Sequence, residues 1–333
     1  MKIILEDPKL NLYDKVDETK EIIGLEIIER ELYSSLGDSS GIIREMCTHM
    51  INSGGKRIRP LLVLYSGLAF SGISNDLINA AVAAELIHMA TLAHDDIIDN
   101  SELRRNRPSL NKVWSNQFGV LCGDFLFSKA FGMLSRNKLL KNLDFMVEAI
   151  DNMCNGEILQ ANNRFNVTTD LNSYYEQIAK KTAIFMECCC KSGACIGDAN
   201  EPQMRAIGGY GLNLGLAFQI MDDILDFCGN TMTMGKPKGE DFRQGIITMP
   251  AILLLTNEKY SSQVNGIISK REYSEQDFGS IVELLYSSGA VDKSHKKAVF
   301  HIDAAQNCLE PLPETPYRDC LYHLAEKLKF RNY

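Results

Sequence analysis

The 333-residue sequence predicts an all-α protein. Two observations carry that expectation. Apolar residues recur with a helical period nearly everywhere, and the alternating β-branched runs that mark strands are almost absent. A third bears on size: with 45% hydrophobic residues the chain can bury a sizeable core, and its composition does not suggest disorder. "LINAAVAAELIHMATLAHDDIID" (77–99) keeps apolar residues at i, i+3, i+4 and i+7 over several turns. Residues 118–134, 143–161, 174–190, 204–227, 249–257 and 317–330 behave alike. Turn-forming composition marks the loops: "SGGKRIRP" (53–60), "NRPS" (106–109), "NRFNVTTDLN" (163–172), "CGNTMTMGKPKGEDFRQG" (228–245) and "EPLPETP" (310–316). No linker divides the chain and no short-period repeat is visible. The reading is one domain over 1–333, ten or more packed helices.

Charge and cysteines exclude several classes. A formal charge of −8 argues against a nucleic-acid-binding surface, which needs a basic footprint. The start, "MKIILEDPKL", lacks a long apolar region and does not read as a signal peptide. The longest uncharged apolar stretch, Ala206 to Met221, is Gly-rich and shorter than the roughly 20 residues of a spanning helix. These features place the protein in the cytoplasm, with no transmembrane segment. Ten cysteines include "CCC" at Cys188 to Cys190, yet no C-x-x-C pair occurs. They read as reduced thiols used as small core residues.

Two acid clusters stand out. "HDDIID" (94–99) and "MDDILD" (221–226) each place acids at i, i+1 and i+4 in apolar surroundings. On a helix, residues four apart share a face about 6 Å apart along the axis. Asp95 with Asp99, and Asp222 with Asp226, therefore each aim two carboxylates one way. Asp96 and Asp223 lie about 100° around and serve as flanking groups. One such cluster alone could be a solvated acidic face. Two of them, flanked by Leu92, Ala93, Ile97 and Ile98 and by Ile220, Met221, Ile224, Leu225 and Phe227, fit that reading poorly. Hard divalent cations with oxygen ligands fit better, Mg²⁺ above all, because it takes one or two carboxylates plus substrate phosphates.

Fixed cations bracket both clusters. "GGKRIRP" puts Lys56, Arg57 and Arg59 in a Gly-led loop opening a helix, where glycines let backbone approach an anion. Arg104 and Arg105 follow the first cluster, "KKT" gives Lys181 and Thr182, and Lys236, Lys238 and Arg243 follow the second. Each alone reads as ordinary basic surface. Together they suit phosphate, which Arg grips bidentately and Lys as a point charge.

"GGKRIRP", "DDIID" followed by "RR", "KKT", "FQIMDDILD" and "GKPKGEDFRQGIITMP" resemble, in order, the motifs of trans-isoprenyl diphosphate synthases (polyprenyl synthetases), over about residues 40–260. The resemblance implies an all-helical fold around a central cavity, usually homodimeric, with three Mg²⁺ ions between the acid-bearing helices. It implies that an allylic diphosphate primer ionises and isopentenyl diphosphate attacks the cation. Asp95, Asp99 and Asp222 then look like metal ligands, with Asp96, Asp223 and Asp226 nearby. Arg104, Lys181, Thr182, Gln219 and Lys236 resemble the allylic-diphosphate contacts. Gly55, Lys56, Arg59, His88 and Arg105 resemble the isopentenyl diphosphate site. A lone His on an apolar helix usually reads as core, but His88 lies two turns before Asp95 on the same stripe. His94 reads as packing. The closing proton transfer is usually assigned to the released diphosphate, so no side-chain base is named.

One departure is informative. Where many members have Lys in G-K-x-T-x-P, this chain has Ile246 in "GIITMP". The position varies among long-chain synthases and catalytic halves of two-component enzymes, which allows for a partner subunit. A class I terpene cyclase would need no second diphosphate site, so "GGKRIRP" and Arg105 argue against it. A non-catalytic subunit typically loses acids, and this chain keeps all six. Short-chain members place an aromatic five, sometimes four, residues before the first Asp. Here those positions are Ala90 and Thr91, with Ile87 deeper. The expectation is an open tail pocket and a C30–C40 product, C35 foremost, handed to a membrane. The alternative is that Ala90 and Thr91 are small because helices pack closely there.

Overall fold

The computed structural model describes residues 24–329, apart from 38, 40 and 230–237. Its framework is helical: α1 (24–35), α2 (Gly41–Asn52), α3 (Ile58–Leu68), α4 (Asn75–Ile98), α5 (Leu110–Val113), α6 (Asn116–Arg136), α7 (Leu140–Asn162), α8 (Leu171–Ile178), α9 (Ile184–Ile196) and α10 (Glu201–Cys228). A C-terminal group follows: α11 (Glu240–Arg243), α12 (Met249–Leu255), α13 (Ser261–Ile268), α14 (Glu275–Ser287), α15 (Ala290–Cys308) and α16 (Pro316–Lys329). The all-α expectation holds. Among the described residues the one departure is a two-residue hairpin, Leu103–Arg104 against Arg107–Pro108, inside the loop after the first acid cluster.

Local chemistry starts the two acid-bearing helices. Ser74 caps α4, its hydroxyl accepting from Leu77 N at 3.1 Å. Asn200 and Gln203 form a capping box at the head of α10, with Pro in its first turn. Both satisfy backbone donors that a helix start leaves open. After Asp99, Asn100 takes φ 50° and stops α4, as a left-handed residue after a helix end does.

α4 is apolar on nearly every side because it is packed on nearly every side, by α3, α6 and α9 among others. Contrary to the sequence expectation, α4 and α6 are each long and apolar enough to cross a membrane. Core burial accounts for α4, whose apolar window is 67% enclosed by the bundle. α6 buries Gly119, Cys122, Gly123, Leu126, Ala130 and Leu134 and turns Val120 and Leu121 outward. Two apolar cores result. The first joins α1–α7, α9 and α16 with the first half of α10 and the end of α15. The second joins α8, α11–α15 and the last turns of α10. Helix α10 passes from one to the other, and its acid cluster sits in the second.

The run 174–190, expected as one helix, is broken. Ala179–Ala183 forms a π-helical turn between α8 and α9. Such a turn inserts an extra residue and often marks a functional site. Two glycines make room for it. A Cβ on Gly156 of α7 would lie 2.6 Å from Lys181 N, and one on Gly215 of α10 would lie 2.4 Å from Ala183 Cα. The neighbours there are backbone and cannot yield. Gly156→Ala is therefore expected to lower stability by about 1–3 kcal/mol, the usual cost of overpacking, and to displace Lys181. Denaturant melts and turnover measured together check this; unchanged stability would show that the turn moves freely.

Candidate active site

The first acid cluster ends α4, and its three carboxylates have separate surroundings. Asp96 is buried and ion-paired with Arg104, whose Nε donates to Oδ1 at 3.0 Å and whose Nη2 makes a second short contact. Asp99 caps the helix and lies 3.5 Å from Arg164 Nη2. Asp95 is pushed up to about 7, first by burial, then by Glu157, with Lys181 opposing. The protein's own cations do not offset the charge at Asp95.

The second cluster is bound into a chain of hydrogen bonds. Asp223 is buried, accepting from Tyr174 OH at 2.6 Å and from Gln219 Nε2 at 2.9 Å. Gln219 Oε1 in turn accepts from Thr182 Oγ1 at 2.8 Å. Burial pushes Asp223 up to about 8 even against those two donors. Asp226 is buried, and its carbonyl accepts from Gly239 N at 2.8 Å, closing the backbone after the loop. Asp222 remains half-buried.

The π turn lets neighbouring residues serve different helices. Thr182 reaches α10, whereas Lys181 contacts α7, ion-paired with Glu157 and donating to Gln160 Oε1 at 3.2 Å. Burial works against the Lys181 charge, but Glu157, Asp95 and Asp99 outweigh it and raise the pKa.

A basic group lies beside the first cluster. Arg105 and Asn106 both have positive φ (53° and 62°), the pattern of a tight two-residue hairpin turn. The turn sends Arg104 to Asp96, while the Arg105 guanidinium covers Gly55, where an added Cβ would lie 2.4 Å from Nη1. Arg59 Nη1 lies 3.2 Å from His88 Nε2. A guanidinium has no acceptor, so this Nε2 accepts and the ring proton sits on Nδ1. Desolvation, then Arg59 and Arg105, hold His88 well below its ordinary pKa, so it is neutral. Desolvation also lowers the pKa of Arg59, against the opposing fields of Cys189, Glu85, Asp222 and Asp95.

Of the expected residues, the structure draws together Asp95, Asp96, Asp99, Arg104 and Lys181, and separately Thr182, Gln219 and Asp223. Gly55, Arg59, His88 and Arg105 form the third group, and Lys56 is exposed beside them. Lys236 lies outside the described residues. Arg57 is not a free loop cation: it is buried, donating to Glu29 at 2.7 Å and Glu85 at 2.8 Å. His94 packs as expected, its ring filling the space beside Gly123.

The three residues expected to bound the tail pocket sit on α4. Ala90 and Ile87 have no exposed surface, and only Thr91 stays partly open. Ala90 shares a stripe with His94 and Ile97, which touch Gly123 and Gly119 of α6. Its small size suits close α4–α6 packing as well as an open pocket. Sequence reading also missed Glu157, Gln160, Tyr174, Glu85 and Arg164. Glu157 and Gln160 stand at i and i+3, a signal available in the sequence; Tyr174 carried none.

Every carboxylate here is a hard oxygen donor, which suits Mg²⁺. Among the described residues no three acidic, His or Cys side chains converge on one point. The donor set thus fits an ion that substrate oxygens help to hold, not a closed protein cage. A polyprenyl synthetase family model matches residues 40–285. Heptaprenyl diphosphate synthase component 2 of Geobacillus stearothermophilus is 32% identical over 309 residues, covering 93% of this chain and 96% of that one. The decaprenyl diphosphate synthase of Rhodobacter capsulatus superposes with a TM-score of 0.88 at 31% identity, over 96% of this chain and 99% of that one. The geranylgeranyl pyrophosphate synthetase of Pyrococcus horikoshii gives 0.86 at 31%, over 98% and 100%. The chain belongs to the polyprenyl synthetase family and is a prenyltransferase.

Proposed function

We propose that this enzyme is an all-trans-polyprenyl diphosphate synthase that joins isopentenyl diphosphate head to tail onto an allylic diphosphate, with Mg²⁺, to a C30–C40 product. The observation that carries the reading is the hairpin turn whose Arg104 is ion-paired with Asp96 while the neighbouring Arg105 covers Gly55. An acid cluster set directly beside a second basic group suits two diphosphates bound side by side.

Asp95, Asp99 and Asp222 would hold Mg²⁺ against the primer. The ion would stabilise the negative charge that develops on diphosphate as the C–O bond breaks. Lys181, positioned by Glu157 and Gln160, neutralises part of that charge. Thr182 and Gln219 form a hydrogen-bonded pair that fixes the Asp223 carboxylate. Gly55, Lys56, Arg59, His88 and Arg105 hold isopentenyl diphosphate, and the neutral His88 keeps Arg59 aimed by accepting a hydrogen bond from its guanidinium. The apolar lining excludes water, which would otherwise quench the cation.

The long product is supported by Thr91, whose small side chain lies one turn before Asp95 with its hydroxyl donating to His88 O at 2.8 Å. The names of the heptaprenyl and decaprenyl relatives support it as well. A homodimer is supported by the outward apolar residues Val120 and Leu121 of α6 and Val147 and Ile158 of α7. The Geobacillus relative's name, component 2, also favours assay with and without a second subunit. The enzyme would act in the cytoplasm and pass its product to a membrane.

Purified protein with farnesyl and isopentenyl diphosphates and Mg²⁺ is expected to give C30–C40 chains; a cyclic hydrocarbon, or no condensation, would refute the reading. Asp95→Asn and Asp222→Asn should each lower kcat by orders of magnitude. Asp95→Asn should melt no lower than wild type in chelator, because the substitution removes a charge that burial disfavours. Near-wild-type turnover in either would remove the metal assignment. Thr91→Phe should fold normally and shorten the main product to C15–C20. Ala90→Phe, facing α6, should instead lose about 1–3 kcal/mol of stability. Product chromatography and melting of both variants decide which position bounds the tail.

A further inference from the structure

The segment after α7 holds a cation that the assigned groups leave out. Arg164 follows the end of α7, and the residue after it is firmly anchored. Phe165 takes φ 58° and donates its N–H to Gly245 O at 2.7 Å. Its ring fills the space where a Cβ on Gly245 would lie 2.6 Å away, and the Arg271 guanidinium sits 5.7 Å from the ring centroid. A bulky residue at positive φ persists only where surrounding contacts fix it. The backbone that presents Arg164 is therefore tied to the loop following the second acid cluster.

The Arg164 side chain is half-used. Its Nη2 stands 3.5 Å from Asp99 Oδ1, longer than the roughly 2.7–2.9 Å of a charge-assisted hydrogen bond. Its Nε is buried and makes no hydrogen bond to protein. A guanidinium carries five donors in a planar fork suited to phosphate. Next to Gly245, at the other end of the Phe165 contact, Ile246 is buried and uncharged. That is the position where the resemblance expects lysine.

We propose that Arg164 is a further diphosphate-binding residue of the allylic site, supplying from the end of α7 the cation that Ile246 does not. The proposal rests on the function proposed above. Its unused donors bind the outer phosphate oxygens of the primer beside Asp99, while Phe165 fixes the approach of the backbone.

The variants to compare are Arg164→Ala, Arg164→Lys, and Arg164→Ala combined with Ile246→Lys. Losing a charge-assisted contact corresponds to roughly a tenfold change or more. Arg164→Ala should raise KM for the allylic primer by about that factor and leave KM for isopentenyl diphosphate within about twofold. Arg164→Lys should restore part of the loss, and Ile246→Lys should restore part of it in the Ala background. Calorimetric titration of inorganic diphosphate with Mg²⁺ should show the same weakening for Arg164→Ala. An allylic KM and a diphosphate affinity both unchanged in a variant that melts like wild type would overturn the proposal. So would equal rises in both KM values, or no recovery with lysine at 246. If wild type failed to join the two substrates, the function would fall, and the diphosphate titration would still decide the role of Arg164.

Discussion

Six carboxylates enter a largely apolar bundle from α4 and α10, and their mutual repulsion governs what stands near them. Burial disfavours the charge at Asp95 and Asp223, and like charges on one helix face add to the cost. The protein meets this in two ways. At Asp96 and Asp223 it supplies fixed partners, an arginine in one case and a tyrosine and a glutamine in the other. At Asp95 it adds Glu157 to the repulsion, and the carboxyl rises to about 7. Leaving that charge uncompensated makes sense where a positive ligand arrives with the substrate.

Within the frame the π turn joins α8 directly to α9, with no loop between them. Regular helical geometry over 174–190 would space Lys181 and Thr182 about 100° apart on one cylinder. The extra residue, admitted by Gly156 and Gly215, lets Lys181 meet Glu157 on α7 while Thr182 meets Gln219 on α10. Side chains from α7, α8, α10 and the turn are thereby held to one another. A positional error in any of these helices would pass to the others.

The helices most visible in the sequence were those whose apolar stripe repeats over many turns, such as α4, α6, α7 and α10. The acid clusters were legible for the same reason, since i and i+4 on a helix share a face whatever surrounds it. What could not be read came from partners far apart in the chain. Tyr174 and Asp223 meet across 49 residues, and nothing local to Tyr174 announces the contact. Arg57 looked like its neighbours Lys56 and Arg59, yet Glu29 and Glu85 claim it. The smallness of Ala90 had two explanations in sequence, and what bears on them, the approach of His94 and Ile97 to Gly123 and Gly119 of α6, lies far away in the chain. Helix α15 was missed because its polar residues blur the stripe, although it lies against much of α10.

The buried pair of Arg57 and Glu85 is a poor source of stability, because desolvating both charges consumes most of what their attraction supplies. Its geometry gives a better reason to keep it. Arg57 is left-handed at φ 48° and Gly55 lies at φ 146°, so the loop before α3 folds in a way few residues adopt unaided. Arg57 Nη2 donates to Ile51 O at 3.0 Å, which ties that loop back to the end of α2. Glu85, one turn before His88 on α4, anchors the other side. The Coulombic influence of Glu85 extends to Arg59 and Arg105, the two arginines beside His88 and Gly55. A buried acid with one committed arginine thus fixes the loop and lends its field to two others, which remain available for an anion.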